Sequence, residues 1–115
     1  MTRNNQIPNK LKLVRIMAEE KKIEQLDKDF FKRTDAFINV ANDLTKEHDL
    51  GKVSASLLYA AARFNAYIVA SSADDKAEAD RNKVEAIEYF TEQYRSMLIA
   101  NMDDYIEKYD EYLKR

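Results

Sequence analysis

The chain has 115 residues and a mass of 13.5 kDa, the size of one small domain. It contains one Gly, one Pro, one His and no Cys. So few turn-forming residues argue against a β-sandwich or β-barrel, which needs many Gly- and Pro-bearing turns. The lack of Cys excludes a disulfide framework, a thiolate zinc site and a cysteine nucleophile. A single His excludes a site built from several histidines.

Charge is nearly balanced, with 19 basic and 21 acidic residues and a formal net charge of −2. Only the first 33 residues are clearly basic, with nine Lys or Arg against five Asp or Glu. We interpret them as a solvated start of the chain, so no nucleic-acid partner is expected. No apolar signal segment and no run of about 18 uninterrupted apolar residues is present, so no membrane span is expected. The absence of Cys fits our predicted location, the cytoplasm.

The scarcity of helix breakers predicts long helices from the N-terminus onward. Asn9 follows Pro8 and can cap a first helix that begins near Lys10. The junction of this helix with the next one is left open by the pattern. We therefore treat residues 1–28 as a partly helical N-terminal extension and residues 29–115 as a single helical domain.

The second helix is predicted from about Asp29 to Glu47, with Asp27 or Asp29 as its N-cap. Gly51 is placed to end it, because glycine adopts the left-handed conformation that closes many helices without steric cost. The following segment, Val53–Ala73, has 15 hydrophobic residues out of 21, and Arg63 is its only charge. A helix that is apolar nearly all round is predicted to be the buried central helix of a bundle.

The last helix is predicted from Lys76 to Leu113, with Asp75 and Glu78 forming a capping-box-like start. Its apolar and aromatic side chains recur at helical spacing from Ile87 to Tyr112. A helix of this length would span roughly 57 Å, which exceeds one small domain. We therefore expect its C-terminal part to pack on a second copy of the chain, as a homodimer, or to bend. An ordinary half-buried helix face is the alternative.

Catalytic and metal-binding patterns are weak in this sequence. The acidic pairs Glu85-x-x-Glu88 and Glu107-x-x-Asp110 look like a Mg²⁺ signature of all-α pyrophosphohydrolases. On one uninterrupted helix, however, Glu88 and Glu107 would lie about 28 Å apart, too far to share an ion. Phosphate loops and dinucleotide fingerprints need several glycines. We therefore predict no catalytic residue, no metal and no cofactor.

Polar side chains inside the apolar helices are the remaining candidates for a binding site. They are Tyr59, Arg63 and Asn65 in the central helix, Asn39 and Asn42 in the helix before it, and Asn101 in the last helix. A buried arginine must be paired, because an uncompensated buried charge costs several kcal/mol. Three interpretations stay open: an Arg63–carboxylate–Asn network that fixes helix register, a small pocket for an anion or carboxylate, or an Arg63 side chain that reaches solvent.

Several segments of the chain resemble the corresponding segments of a known protein family. The segments are Asp35–Asn42, Val53–Tyr67 with its Ala-Ala-Arg-Phe-Asn-Ala core, Glu88–Tyr94 and Asn101–Tyr105. Together they resemble a family of small bacterial all-helical proteins, a domain of unknown function, over roughly residues 29–112. The resemblance implies a compact helical fold and lends no catalytic residues.

These observations predict an all-α fold, a helical bundle of three main helices plus an N-terminal helical extension. The function that they favour is a non-enzymatic protein-interaction or assembly module that forms a homodimer through its C-terminal helix. The alternative is a binding protein or enzyme for a small anion or carboxylate, with its pocket around Arg63.

Overall fold

A computed structural model describes residues 27–114, and these residues contain four helices and no strand. Helix α1 covers Phe30–Leu44, α2 covers Leu50–Ser72, α3 covers Lys76–Glu107 and the short α4 covers Tyr109–Leu113. The predicted all-α class is therefore confirmed. Apart from its last two residues, the predicted extension at residues 1–28 lies outside the described residues.

The described chain divides into two compact units at the boundary between Asn82 and Lys83. The first unit holds α1, α2 and the first two turns of α3, and α1 and α2 contact each other within it. The second unit holds the rest of α3 and α4.

Helix α1 begins after an acidic turn that is held by the side chain of Asp27. One carboxylate oxygen of Asp27 accepts a 2.9 Å hydrogen bond from the backbone N–H of Asp29. The other oxygen pairs with the guanidinium of Arg33, one turn inside the helix. The hydrogen bond from Arg33, followed by that from Asp29, holds the pKa of Asp27 below its ordinary value. Of the two predicted caps, Asp27 supplies the contact, since the Asp29 side chain makes no cap hydrogen bond.

The prediction that Gly51 ends the second predicted helix is wrong. Helix α1 already ends at Leu44, and Gly51 lies in the first turn of α2 with an ordinary negative φ. Asp49 is the reason: its Oδ2 accepts hydrogen bonds from the N–H groups of Gly51 (3.0 Å) and Lys52 (3.3 Å) and so caps α2. A Cβ at residue 51 would lie only 3.1 Å from that oxygen. The glycine thus makes room for the capping carboxylate and does not end a helix.

Helix α3 begins with the predicted capping box, which is confirmed. The backbone N–H of Glu78 donates to Oδ1 of Asp75 at 2.9 Å, and Oε1 of Glu78 accepts from the N–H of Asp74. The helix ends at Glu107, because Lys108 has a non-helical backbone with φ −109° and ψ 35°. The prediction of one continuous helix to Leu113 is therefore wrong, because the helix is interrupted at Lys108. Neither Pro nor Gly is present at this interruption.

Helix α2 is far less buried than its composition predicts. Of its 23 residues, only Val53 and Val69 are buried. The prediction that this helix is covered on most sides is wrong for the single chain. The physical reason is a shortage of partners: α1 is short, and it covers one side of α2 while most of the remaining surface stays exposed.

Candidate functional site

Arg63 lies at the centre of an exposed face of α2. Its side chain is exposed, and it forms no hydrogen bond or ion pair with any residue between 27 and 114. The predicted buried Arg63–carboxylate–Asn network is therefore absent from this part of the chain. Tyr59 and Tyr67 precede and follow Arg63 by one turn, and both rings are about two-thirds exposed, at 66% and 64%. Arg63 and two accessible tyrosines thus share one face of α2.

The predicted asparagines are not brought together around Arg63. Asn39 and Asn42 are exposed on α1, and Asn65 is half-buried on α2. Asn101 is exposed in the second unit, where its Nδ2 donates a 2.7 Å hydrogen bond to the carbonyl oxygen of Met97 in its own helix. The structure therefore gives Asn101 a local role, and the other three amides share no described hydrogen bond with Arg63.

Exposed apolar side chains also cover much of the first unit. Phe37, Val40 and Leu44 are exposed on α1, and Leu58 and Phe64 are exposed on α2. Composition could not reveal this surface, because an apolar side chain looks the same in sequence whether its own chain or another molecule covers it.

The second unit carries a continuous apolar face that we call the C-terminal stripe. From Tyr94 onward its members recur at helical spacing, and Ile87 lies two turns before Tyr94 on the same face. Each side chain is between 42% and 55% exposed. They are Ile87, Tyr94, Met97, Leu98, Met102, Tyr105, Tyr109 and Tyr112.

Three residues join α4 to the end of α3, and one of them, Tyr112, belongs to this stripe. The phenolic O–H of Tyr112 donates to Oδ2 of Asp104 at 2.9 Å, and Nζ of Lys108 lies 3.3 Å from Oδ1 of the same carboxylate. The rings of Tyr105 and Tyr112 stack with their centroids 4.9 Å apart. The hydrogen bond from Tyr112, and then that from Lys108, lowers the pKa of Asp104, and the same contacts raise the pKa values of Tyr112 and Lys108.

A second feature that sequence reasoning missed lies in the first two turns of α3. Glu78 is fully buried and Asn82, one turn later, is almost fully buried. Oε2 of Glu78 and Nδ2 of Asn82 have no hydrogen-bond partner among the residues that the structure describes. The capping-box pattern identified Glu78 as a cap, but it carried no signal that the side chain would be buried.

Two further tests of the described residues bear on function. No group of three Asp, Glu or His residues within residues 27–114 is arranged to hold a metal ion. By length and composition alone, α2 could cross a membrane, and 11% of that stretch is buried. The expected absence of a membrane span therefore stays a prediction, and the charged Arg63 near the middle of α2 is the physical argument for it.

Comparison with known proteins gives the family. The model of a family described as a protein of unknown function, DUF3144, matches residues 30–106. The chain belongs to this family. DUF3144 carries no assigned activity, so membership confirms the resemblance seen in sequence without supplying functional residues. The matched region ends before α4.

A solved structure supports the same conclusion. The NMR structure of the protein NB7890A from Shewanella sp. is 37% identical to this DUF3144 chain and superposes with a TM-score of 0.64. The similarity covers 76% of this chain and 94% of that one. A search of curated proteins found no match.

Proposed function

We propose that the protein is a non-enzymatic assembly module of the bacterial cytoplasm, which forms a homodimer through its C-terminal helix. The observation that carries this proposal is the C-terminal stripe, in which eight large side chains on one face are each about half exposed. Soluble monomers rarely expose contiguous apolar patches larger than a few hundred Å². Covering the stripe with another protein surface removes this area from water and stabilises the assembly.

The experiment is size-exclusion chromatography with light scattering, over a range of micromolar concentrations. The expected mass is twice 13.5 kDa, and dilution should lower it, because association obeys mass action. Leu98→Asp places a charge in the stripe and should give a monomer. Ser96→Asp introduces the same residue on the opposite side of α3, and it should leave the dimer intact. A strict monomer at every concentration would contradict the proposal.

A second candidate function is the binding of a small anion or carboxylate at Arg63. The supporting observation is the exposed guanidinium without an ion-pair partner among residues 27–114, flanked by Tyr59 and Tyr67. A guanidinium recognises carboxylates and phosphates through paired hydrogen bonds. A thermal-shift panel of inorganic phosphate, acetate and dicarboxylates tests it. An increase in Tm that disappears in Arg63→Leu supports this candidate, whereas an unchanged Tm with every anion contradicts it.

A further inference from the structure

We propose that two copies of the chain pair in antiparallel orientation along the C-terminal stripe, about a twofold axis that passes between Ile99 and Ala100. This proposal rests on the proposed assembly function and deepens it, since it names the partner surface and its direction. In a twofold interface, residue i of one copy faces residue j of the other, and j faces i. The stripe must therefore match itself when it is read backwards.

Six of the eight stripe residues have a counterpart within the stripe, and two of these three pairs also match in residue type. Tyr109 falls opposite the half-buried Phe90. The matched positions lie two, five and twelve residues on either side of the axis: Met97 with Met102, Tyr94 with Tyr105, and Ile87 with Tyr112. Antiparallel pairing thus places methionine against methionine and tyrosine against tyrosine near the axis. Flexible thioethers at the centre fill gaps readily, and tyrosine pairs supply large, partly polar contacts suited to an interface.

The polar residue within this face does not oppose pairing. Asn101 is the counterpart of Leu98 across the axis. Because its Nδ2 donates to the carbonyl oxygen of Met97 in the same helix, the amide has a hydrogen-bond partner before the second copy binds. An apolar residue can therefore face Asn101 without leaving that donor group unsatisfied.

The exposed area of the stripe matches what a stable dimer needs. A fully buried aromatic side chain covers 150–250 Å², so a half-exposed one offers about 100 Å². The four half-exposed tyrosines thus offer about 400 Å² per copy, and the exposed parts of the four aliphatic side chains bring the stripe toward the ~800 Å² that each partner buries in a standard-size interface. The stripe is thus large enough to hold two copies together without a contribution from the first unit.

Charge selects the antiparallel direction over the parallel one. Residues 103–111 carry five acidic side chains and one Lys, whereas residues 88–96 carry two acidic side chains and one Arg. Parallel pairing would place the two strongly acidic segments side by side. Antiparallel pairing places each of them against the nearly neutral segment of the other copy, and like-charge repulsion falls. The antiparallel arrangement also sets the two helix dipoles in opposite directions, which is favourable.

A charge-swap series tests the direction. Tyr94→Glu and Tyr105→Lys, each alone, place a charge against a tyrosine and should weaken dimerisation by about tenfold or more. The double variant Tyr94→Glu/Tyr105→Lys should recover most of that loss, because antiparallel pairing sets the two new charges opposite each other twice. In a parallel dimer like charges would face each other, and the double variant would bind more weakly than either single variant.

The matched control is Ser96→Glu/Asp103→Lys, at exposed positions equally spaced about the same axis but on the outward face. It should leave the dissociation constant unchanged. Circular dichroism verifies that each variant keeps its helical content. A wild-type monomer would refute the proposed function itself. Suppose instead that the wild type is a dimer. Single variants that dimerise as tightly as the wild type, or a double variant that dimerises more weakly than either single variant, would then overturn only the antiparallel pairing along the stripe.

Spin labels give a second test that leaves the stripe intact. The chain has no Cys, so a single introduced Cys labels one site per copy. For Ser96→Cys and Glu107→Cys, the antiparallel dimer predicts that equivalent labels are offset along the helix axis by about 10 Å and about 22 Å, respectively. The distance between equivalent labels should therefore be larger at the site that lies farther from the twofold axis. Equal distances at both sites indicate a parallel pair and overturn the proposal.

Discussion

The phenolic oxygen of Tyr112 donates a 2.9 Å hydrogen bond to Oδ2 of Asp104 and so ties α4 to the helix before it. Lys108, between them in sequence, interrupts the helix but pairs with the same carboxylate at 3.3 Å. Backbone hydrogen bonds from Lys108 N–H to the Asp104 carbonyl and from Tyr112 N–H to the Lys108 carbonyl, both 3.0 Å, continue through the interruption. The end of the chain is therefore held by side chains where the helix geometry is broken.

Removing the Tyr112 hydroxyl should raise the pKa of Asp104. The hydrogen bond from Tyr112 is the main reason that this pKa lies below its ordinary value of 3.8. In Tyr112→Phe the remaining contact with Lys108 lowers the pKa less, so NMR titration of the Asp104 carboxyl should show a midpoint closer to 3.8. Tyr94→Phe is the control: it removes a hydroxyl that has no described contact with Asp104, so the Asp104 midpoint should not change.

The same cluster predicts the pH window in which α4 is held. Because the folded pKa of Asp104 is lowered, its contribution is present above pH 3.8 and is lost as pH falls through the folded value. Because the folded pKa of Tyr112 is raised above 10.0, its contribution is present below that pH and is lost as pH rises through the folded value. Amide exchange in residues 109–113 should therefore be slowest between these limits. Exchange rates, corrected for intrinsic pH dependence, that do not rise outside them would contradict this account.

The cap on α2 makes a stability prediction. Asp49→Ala removes the acceptor for two N–H groups of the first turn, which should cost about 1 kcal/mol and lower Tm by about 4–8 °C. Asp43→Ala is the control, since Asp43 makes only an exposed ion pair with Lys46 at 3.3 Å. Thermal unfolding followed by circular dichroism measures both. Equal Tm values for the two variants would show that the cap contributes nothing.

Asn82 offers a way to stabilise the protein. Its buried Nδ2 has no hydrogen-bond partner within residues 27–114, and leaving such a group unsatisfied is unfavourable. Asn82→Leu should therefore raise the free energy of unfolding by about 1 kcal/mol, whereas Asn39→Leu at an exposed position should change it little. Urea unfolding measures the difference. Destabilisation by Asn82→Leu would mean that the amide is bonded in the assembled protein.

Helix α2 makes a prediction about location. Although it meets the length and composition of a membrane span, Arg63 near its middle makes insertion unfavourable by about 2.5–3.5 kcal/mol. We expect the expressed protein in the supernatant after cell lysis and high-speed centrifugation. Protein that stays in the membrane pellet after alkaline carbonate washing would contradict the cytoplasmic location. Arg63→Leu shows whether the fractionation can detect insertion, since this variant lacks the charge that disfavours it.

Local signals in the sequence predicted local features of the fold well. The capping box of Asp75 and Glu78 is a short-range pattern, and the structure contains it. Gly51 failed as a helix end because Asp49, two residues earlier, offered a stronger start signal for the next helix. The interruption at Lys108 could not be predicted, since no Pro or Gly lies near it.

The candidate site was harder to predict because burial is not a local property. Arg63 was expected inside a bundle on the strength of its apolar neighbours, yet in the single chain it is exposed. Glu78 was predicted as part of a helix cap with no indication of burial, yet it is fully buried. Apolar composition indicates that a surface will be covered, but it does not say whether the same chain or another molecule covers it.

The low burial of α2 and of the C-terminal stripe has a consequence for protein quality control. A chain that has not yet associated presents aromatic and aliphatic side chains of the kind that chaperones and proteases recognise in unfolded proteins. Chains that have not associated are therefore removed, and chains in dimers survive. Cellular abundance would then follow assembly rather than synthesis, and a variant that cannot dimerise would be present at a lower level than the wild-type protein.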